Sequence, residues 1–227
     1  MKKNKIKLAI FDVNQTIFNL KEIEKRFKKN KIDPNLVDKW FNNVLKEGFS
    51  LSSTNSFFSF KDIAINELKR IVKKERKNLK IVNYLFDGFK SLNANPKIKE
   101  SFIKLNQNNI KVITLTNGPR ENCLSLLKKN KLSDHIHECF SIEEIKTWKP
   151  DPKVYLYVSK KLNINPKNII MIAAHGWDIF GAKSTGMKTG YISNYEFFLN
   201  SYYPKPDFLA SNSLALVNKI INYSSST

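Results

Sequence analysis

Two aspartates stand just beyond short apolar runs, where their carboxylates could take part in a reaction. Asp12 follows the run 7–11, and Asp178 comes shortly after the run 169–173. Short apolar runs predict buried strands, and in open α/β sheets ligands bind beyond the carboxyl ends of the strands. A carboxylate in that position can serve as a nucleophile or as a base. Asp12 taken alone fits a helix N-cap equally well.

Further polar residues follow other predicted strands. Thr116 and Asn117 come after the run 111–115, where a hydroxyl, an amide and a helix N-terminus could together bind an anion. An ordinary turn explains these two residues as well. Lys149 lies in the segment Trp148-Lys149-Pro150-Asp151-Pro152, whose prolines stiffen the chain around it. A lysine held in this way can keep a neighbouring carboxylate ionised and oriented without a metal.

The pattern of apolar residues indicates how these sites are positioned. After residue 17 a helical stretch runs to about residue 95, with segments expected at 20–30, 35–49, 60–77 and 81–92. From residue 97 onward helices and strands alternate, with strands expected at 111–115, near 139–141, and at 169–173, 190–193 and 207–209. Helices are expected between them, among them 120–129 and 179–185. Alternation of this kind predicts parallel strands with crossover helices. We therefore expect an α/β Rossmann-like core, residues 1–17 and 96–227, with an inserted all-helical cap, residues 18–95.

Composition narrows the class of protein. The 227 residues are 41% hydrophobic and contain no apolar run long enough to cross a bilayer. Two cysteines without metal-type spacing and no signal-peptide pattern favour the cytoplasm. The net charge of +19 comes from lysines spread along the chain. This spread favours a solvated surface over a nucleic-acid footprint, so neither nucleic acid nor a membrane is expected as a partner.

The ordered series of carboxylate, hydroxyl, lysine and second carboxylate resembles the haloacid dehalogenase superfamily. The resemblance covers nearly the whole chain, including the helical segment between the first two sites. It implies that Asp12 is a covalent nucleophile, with Thr16, Thr116 and Lys149 around it and Asp178 as the acidic residue of the last motif.

Within the superfamily, the details favour one branch. Phosphatases usually carry a second aspartate two residues after the nucleophile, and this chain has Asn14 there. The segments Phe11 to Thr16, Lys149-Pro150-Asp151 and Trp177-Asp178 resemble the type II (S)-2-haloacid dehalogenases, which use no metal or other cofactor. The resemblance implies attack of Asp12 on the carbon that bears the halogen of a short 2-haloalkanoic acid, followed by hydrolysis of the ester by water that Asp178 activates.

The same resemblance suggests the substrate contacts. The substrate carboxylate is expected on the backbone N–H groups of Val13 and Asn14 and on the Thr116 hydroxyl, with Asn117 at the halide. The remaining expected contacts are Phe41, Tyr155, His175 and Trp177. Simple packing would explain Tyr155 and Trp177 as well, and His175 fits a neutral, hydrogen-bonded histidine equally well.

One departure concerns the halide. In this branch an arginine early in the cap assists the leaving halide, and Phe41 stands about where that arginine is expected. His175 and Arg120 are the two candidates to take over the role of this arginine.

Two other functions remain open. The first is a magnesium-dependent phosphatase of the same superfamily acting on small phosphorylated metabolites, with Asp12 and Asp178 at the metal. The second is a binding protein that keeps the fold and uses its basic surface. Relatives also suggest a homodimer.

Overall fold

The computed structural model describes residues 5–225, which form a parallel α/β sheet flanked by helices. The strands are β1 (Leu8–Phe11), β2 (Phe18–Asn19), β3 (Asn93–Ala94), β4 (Lys111–Thr116), β5 (Glu138–Ser141), β6 (Ile169–Ala173), β7 (Lys188–Ile192) and β8 (Phe208–Ala210). The helices are α1 (Lys21–Lys29), α2 (Leu36–Ser53), α3 (Phe60–Lys74), α4 (Val82–Phe86), α5 (Ile98–Gln107), α6 (Arg120–Lys129), α7 (Pro152–Lys161), α8 (Gly176–Ser184) and α9 (Ser213–Ser225).

The large sheet has the strand order β5-β4-β1-β6-β7-β8, and all of its pairings are parallel. Strands β1 and β6 are buried along their whole length, as expected for strands covered by helices on both faces. The chain passes from β1 to β4 on one side and returns to β6 on the other side. The carboxyl end of β1 therefore lies at a topological switch point, the usual place for a ligand site in such sheets. The α/β Rossmann-like fold expected from the sequence is confirmed.

Helices α1 to α4 lie between β2 and β3, which pair as a short antiparallel ribbon. This arrangement agrees with an inserted helical cap. The limits 18–95 for the cap, and 1–17 with 96–227 for the core, stay predictions, and residues 1–4 and 226–227 lie outside the described residues.

A close contact joins the cap to the core. A side-chain carbon on Gly48 of α2 would overlap the indole of Trp148, which is fully buried. Trp148 also donates its indole N–H to the Phe58 carbonyl at 3.1 Å, and its backbone N–H donates to the Ser52 hydroxyl at 3.0 Å. Trp148 therefore belongs to the cap–core interface, next to Lys149 in the chain.

Several predicted helix limits differ from those observed, since α2 ends at Ser53 and α3 at Lys74 rather than at residues 49 and 77. The helix expected at 81–92 ends at Phe86 and tightens into a 3-10 helix over Asp87–Ser91. Gly88 in this segment lies so close to α1 that an added Cβ would come within 2.8 Å of Ile23. The helix expected to begin at residue 179 begins at Gly176, because the Glu196 carboxylate accepts the Gly176 N–H at 2.9 Å and supplies the N-terminal partner.

Among residues 5–225, no helix is both long enough and apolar enough to cross a membrane.

Candidate active site

Asp12 directly follows β1 and is 5% exposed. Its Oδ1 accepts a hydrogen bond from Lys149 Nζ at 2.8 Å, and its Oδ2 accepts one from the Thr16 hydroxyl at 2.7 Å. The Thr16 oxygen in turn accepts the Ala174 N–H at 3.0 Å, which directs the hydroxyl hydrogen towards Asp12. The carboxylate is thus held from both sides at the end of the central strand.

Lys149 is fully buried, and its ammonium group donates three hydrogen bonds. Besides Asp12, Nζ donates to Asp178 Oδ2 at 2.6 Å and to the Leu115 carbonyl at 3.1 Å. An ammonium group has three N–H donors, so all of them are satisfied here. One buried cation therefore lies between two buried carboxylates, and the cluster carries one net negative charge when all three groups are ionised.

This arrangement shifts the pKa values of the two carboxylates in opposite directions. Burial by itself would raise the pKa of Asp12, but the charge of Lys149 and the hydrogen bond with His175 bring it well below its ordinary value. Burial raises the pKa of Asp178, and the attraction of Lys149 only partly offsets this. Burial opposes the charge on Lys149, yet the two carboxylates still raise its pKa. Asp12 is therefore the carboxylate that stays ionised most readily.

Asp178 lies in the first turn of α8 and is fully buried. The Tyr155 hydroxyl donates to Asp178 Oδ1 at 2.5 Å, and burial raises the pKa of this tyrosine well above its usual range. Tyr155 is itself fully buried and lines neither cavity of the site. Its hydroxyl is engaged with Asp178 and orients that carboxylate, and a contact of Tyr155 with substrate stays a prediction.

His175 connects Asp12 to the cap through a chain of hydrogen bonds. Gln15 Nε2 lies 3.2 Å from Asp38 Oδ1, so the amide donates there and its Oε1 faces His175 Nε2 at 2.9 Å. The other ring nitrogen, Nδ1, lies 3.3 Å from Asp12 Oδ2. His175 therefore bridges Asp12 and Gln15 through its two ring nitrogens, and Gln15 continues the chain to Asp38.

Aromatic rings enclose His175. Trp177 stacks on the imidazole with centroids 5.2 Å apart, Phe41 stacks at 6.4 Å, and Tyr195 meets it edge-on at 5.4 Å. The Tyr195 hydroxyl also lies 3.2 Å from Asp38 Oδ1. The imidazole is consequently 3% exposed, in spite of its place at the cap–core boundary.

A small cavity of about 10 Å³ lies against Asp12. It is bounded by cap and core side chains, namely Asp12, Asn14, Phe41, Leu45, Phe60, Asn117, His175 and Trp177. Asn117 Oδ1 accepts a hydrogen bond from the backbone N–H of Lys149 at 3.1 Å. The amide nitrogen of Asn117 is therefore free to donate into this cavity. A volume of about 10–15 Å³ is the least that holds one water, so the cavity admits a single small group.

A second, much larger cavity of about 720 Å³ opens between cap and core, and we call it the cap–core chamber. Its walls include Val13, Asn14, Phe60, Ile65, Phe86 and Thr116. Thr116 Oγ1 accepts the Gly118 N–H at 2.9 Å, so its own hydroxyl hydrogen remains available to a ligand. Val13, Asn14 and Thr116, predicted to hold the substrate carboxylate, thus meet at one wall of the chamber.

The structure also corrects one candidate and adds others. Arg120 donates Nε to the Cys139 carbonyl at 2.8 Å and lines neither cavity, so it does not replace the missing cap arginine. Gln15, Asp38 and Tyr195 were not among the predicted residues, although they hold His175 in place. Only Gln15 had a local signal, since it lies inside the motif that begins at Asp12.

The side chains around Asp12 do not suit a divalent metal ion. Within the described residues no group of three or more His, Cys, Asp or Glu side chains is placed to hold a metal ion. Lys149 Nζ occupies the position between Asp12 and Asp178, where a divalent cation would have to bind. The residues at this point do not fit Mg²⁺, because an ammonium and a metal ion would compete for the same two carboxylates.

Comparison with known proteins finds similarity both to 2-haloacid dehalogenases and to a phosphatase. The (S)-2-haloacid dehalogenase 4A of Burkholderia cepacia is 33% identical over 115 residues, which are 51% of this chain and 49% of that protein. A phosphorylated carbohydrates phosphatase of Thermotoga maritima is 27% identical over 100 residues, 44% of this chain and 46% of that protein. The match thus spans about half the length of either relative.

Similarity in fold extends further along the chain. The structure of L-2-haloacid dehalogenase from Xanthobacter autotrophicus with chloropropionic acid covalently bound superposes with a TM-score of 0.85. It covers 95% of this chain and 98% of that one at 16% sequence identity, a similarity that establishes the fold. Residues 9–192 match the profile of the haloacid dehalogenase-like hydrolases. This match covers most of the chain, which therefore belongs to the haloacid dehalogenase-like hydrolase family.

Proposed function

We propose that this protein is a hydrolytic dehalogenase acting on 2-haloalkanoic acids through an ester on Asp12. The observation that carries the proposal is the position of Lys149 Nζ, 2.8 Å from Asp12 and 2.6 Å from Asp178. A lysine in this position keeps the nucleophile ionised and takes one oxygen of each carboxylate, which a divalent cation between them would also need. Family membership and the dehalogenase relatives support the same reaction.

In the first step an oxygen of Asp12 attacks C2 of the acid. A carbon–oxygen bond forms on the face opposite the halogen, and the carbon–halogen electron pair leaves with the halide. We assign the departing halide to the side of the small cavity away from Asp12, where Phe41, Trp177 and the Asn117 amide lie. His175 also borders this cavity, and we assign to it the place of the arginine that is absent at Phe41.

In the second step water attacks the carboxyl carbon of Asp12. Asp178 takes a proton from this water and passes it to the leaving oxygen as the acyl–oxygen bond breaks. A 2-hydroxy acid then leaves, and Asp12 is regenerated as a carboxylate by release of the second proton to solvent. A raised pKa suits Asp178 to this role, since a stronger base accepts the proton more readily. Each of its oxygens has a second lone pair beyond those facing Lys149 and Tyr155.

The substrate carboxylate is assigned to the backbone N–H groups of Val13 and Asn14 and to the Thr116 hydroxyl. In the loop after β1, backbone hydrogen bonds engage the N–H groups of Gln15, Ile17 and Phe18. The burial of Asp12 keeps bulk water from the nucleophile, which strengthens its interactions.

A phosphatase is the competing function. It would need Mg²⁺ at Asp12 and Asp178, and a general acid two residues after the nucleophile. Lys149 and Asn14 occupy these two positions, so both observations favour dehalogenation.

The test is halide release from 2-chloropropionate and bromoacetate in the presence of EDTA. We expect release by the unmodified protein and none by Asp12→Asn. Asp134→Asn, which changes an exposed aspartate remote from the site, serves as the matched control and should retain the activity. Phosphate release from a panel of sugar phosphates that requires Mg²⁺, with no halide release, would contradict the proposal.

A further inference from the structure

The cap–core chamber is far larger than a short haloacid requires. Its volume of about 720 Å³ lies within the range of roughly 300–1,000 Å³ that is typical of sites for drug-sized ligands. Chloroacetate and 2-chloropropionate would leave most of this space to water. The chamber therefore has room for a substantial extension of the substrate.

The chamber is connected to the reacting atoms through shared residues. Asn14 and Phe60 line both the chamber and the small cavity that contacts Asp12. Thr116 and Val13, assigned to the substrate carboxylate, face the chamber. An acid whose C2 is next to Asp12 would thus have its halogen in the small cavity and the rest of its chain in the chamber.

The chemistry of the walls indicates what the extension is. The cap contributes three phenylalanines and an isoleucine, and the core contributes Val13 and Pro119 at the opposite wall; the cap residues are Phe60, Ile65, Phe86 and Phe89. Polar residues, among them Asn83, Asn122 and Ser125, line other parts of the chamber. The apolar wall is therefore the part that favours a carbon chain.

The charges at the chamber balance each other. Lys61 and Lys90 are matched by Asp87 and Glu121, and Lys90 is paired with Asp87 at 2.6 Å. A site for a second anionic group, such as a phosphate, would need an excess of positive charge. The balance therefore points to an uncharged extension.

We infer that the preferred substrate is a medium-chain 2-haloalkanoate, with its alkyl chain in the cap–core chamber. This inference rests on the proposed dehalogenase function and adds the class of acid.

The first test compares 2-bromopropionate, 2-bromohexanoate and 2-bromooctanoate as substrates of the unmodified protein. Burial of each added methylene is expected to raise kcat/KM about fourfold until the chamber is filled. The gain should lie mainly in a lower KM, because the chamber holds the chain equally in the ground state and the transition state.

The second test fills the chamber from either side. Ile65→Trp on α3 and Asn122→Trp on α6 each place an indole in the chamber. Both should lower the ratio of kcat/KM for 2-bromooctanoate to that for 2-bromopropionate by at least tenfold. Ile71→Trp is the matched control, because Ile71 is a half-buried isoleucine of the same helix that lines a separate groove. It should leave the ratio unchanged.

The outcomes separate the chamber assignment from the dehalogenase function. A preference for 2-bromooctanoate that both chamber variants remove supports the inference. Halide release from 2-bromopropionate with no gain for longer acids overturns the chamber assignment and leaves the dehalogenase function standing. The chamber assignment is overturned in the same way if Ile71→Trp changes the ratio as much as Ile65→Trp does. Absence of halide release from every acid overturns the function and the chamber assignment with it.

Discussion

At the scale of single residues, the cluster of Asp12, Lys149 and Asp178 divides two chemically identical side chains into different roles. Both carboxylates bind the same ammonium group, but Asp12 gains further hydrogen bonds from Thr16 and His175. Asp178 has only a tyrosine hydroxyl besides Lys149 and is completely enclosed. In active sites, two titratable groups whose environments separate their pKa values commonly take different roles in acid–base chemistry.

This difference leads to a prediction about pH. The lowered pKa of Asp12 means that the nucleophile stays ionised well into the acid range, whereas the raised pKa of Asp178 means that the base becomes protonated above the ordinary aspartate value of about 3.9. As pH falls towards the ordinary aspartate range, ester hydrolysis should therefore slow while ester formation stays constant. Rapid-quench measurement of a single turnover of 2-bromopropionate separates the two rates. Parallel loss of both rates would contradict the assigned roles.

The chain from Asp38 through Gln15 to His175 leads to a second prediction. Gln15→Met removes the hydrogen-bond partner of His175 Nε2 and leaves a buried polar group unpaired, at a cost of about 1–3 kcal/mol. We expect kcat to fall by about tenfold or more, because the imidazole is no longer held in place beside Asp12. Gln15→Glu keeps an oxygen at this position and should restore most of kcat. Equal loss in both variants would mean that the side chain only fills space.

The reactive residues and the linking residues differ in how far the sequence reveals them. Asp12, Lys149 and Asp178 each follow an apolar run or lie between prolines, so local patterns suffice to select them. Asp38 and Tyr195 are joined across 157 positions of the chain, and no local pattern marks such a pair. Tyr155 was selected through the resemblance to the family, and only the fold shows that its hydroxyl faces Asp178.

At the scale of elements, the contact of α2 with Trp148 couples the cap to the site. Gly48 allows the helix to approach the indole closely, and the next residue along the chain from Trp148 is Lys149. The position of the ammonium group therefore depends on packing between two elements that are distant in sequence.

Gly48→Ala tests this coupling. The added methyl group must displace Trp148, and overpacking of this kind costs about 1–3 kcal/mol. We expect a lower melting temperature together with a lower kcat, since Lys149 moves with its neighbour. Gly186→Ala is the control: its backbone φ of +83° strains an alanine, yet nothing lies within 4 Å of the added carbon. It should lower the melting temperature and leave kcat unchanged.

The element boundaries show which features local patterns capture. The strand 169–173 and the helix 120–129 were predicted with the limits that the structure has. The ribbon of β2 and β3 was missed, because each strand has two residues and their pairing spans the whole cap. The start of α8 at Gly176 depends on Glu196, which lies beyond the next strand.

At the scale of the whole molecule, the large positive charge needs an explanation. The 39 lysines and arginines exceed the 20 aspartates and glutamates, and the buried site uses only Lys149 among them. If the surface lysines serve solvation alone, a duplex oligonucleotide should not be retained on filters at about 0.15 M salt. Retention that persists at this salt concentration would instead favour a nucleic-acid partner.

The proposed reaction depends most on the covalent bond between Asp12 and the substrate. The most direct measurement is the intact mass of an Asp178→Asn variant mixed with 2-bromopropionate, followed by peptide mapping. We expect the mass to increase by that of a bound propionate residue on the peptide that contains Asp12, and no increase in the double variant Asp12→Asn, Asp178→Asn. Halide release by the single variant with Asp12 unmodified would contradict the covalent mechanism.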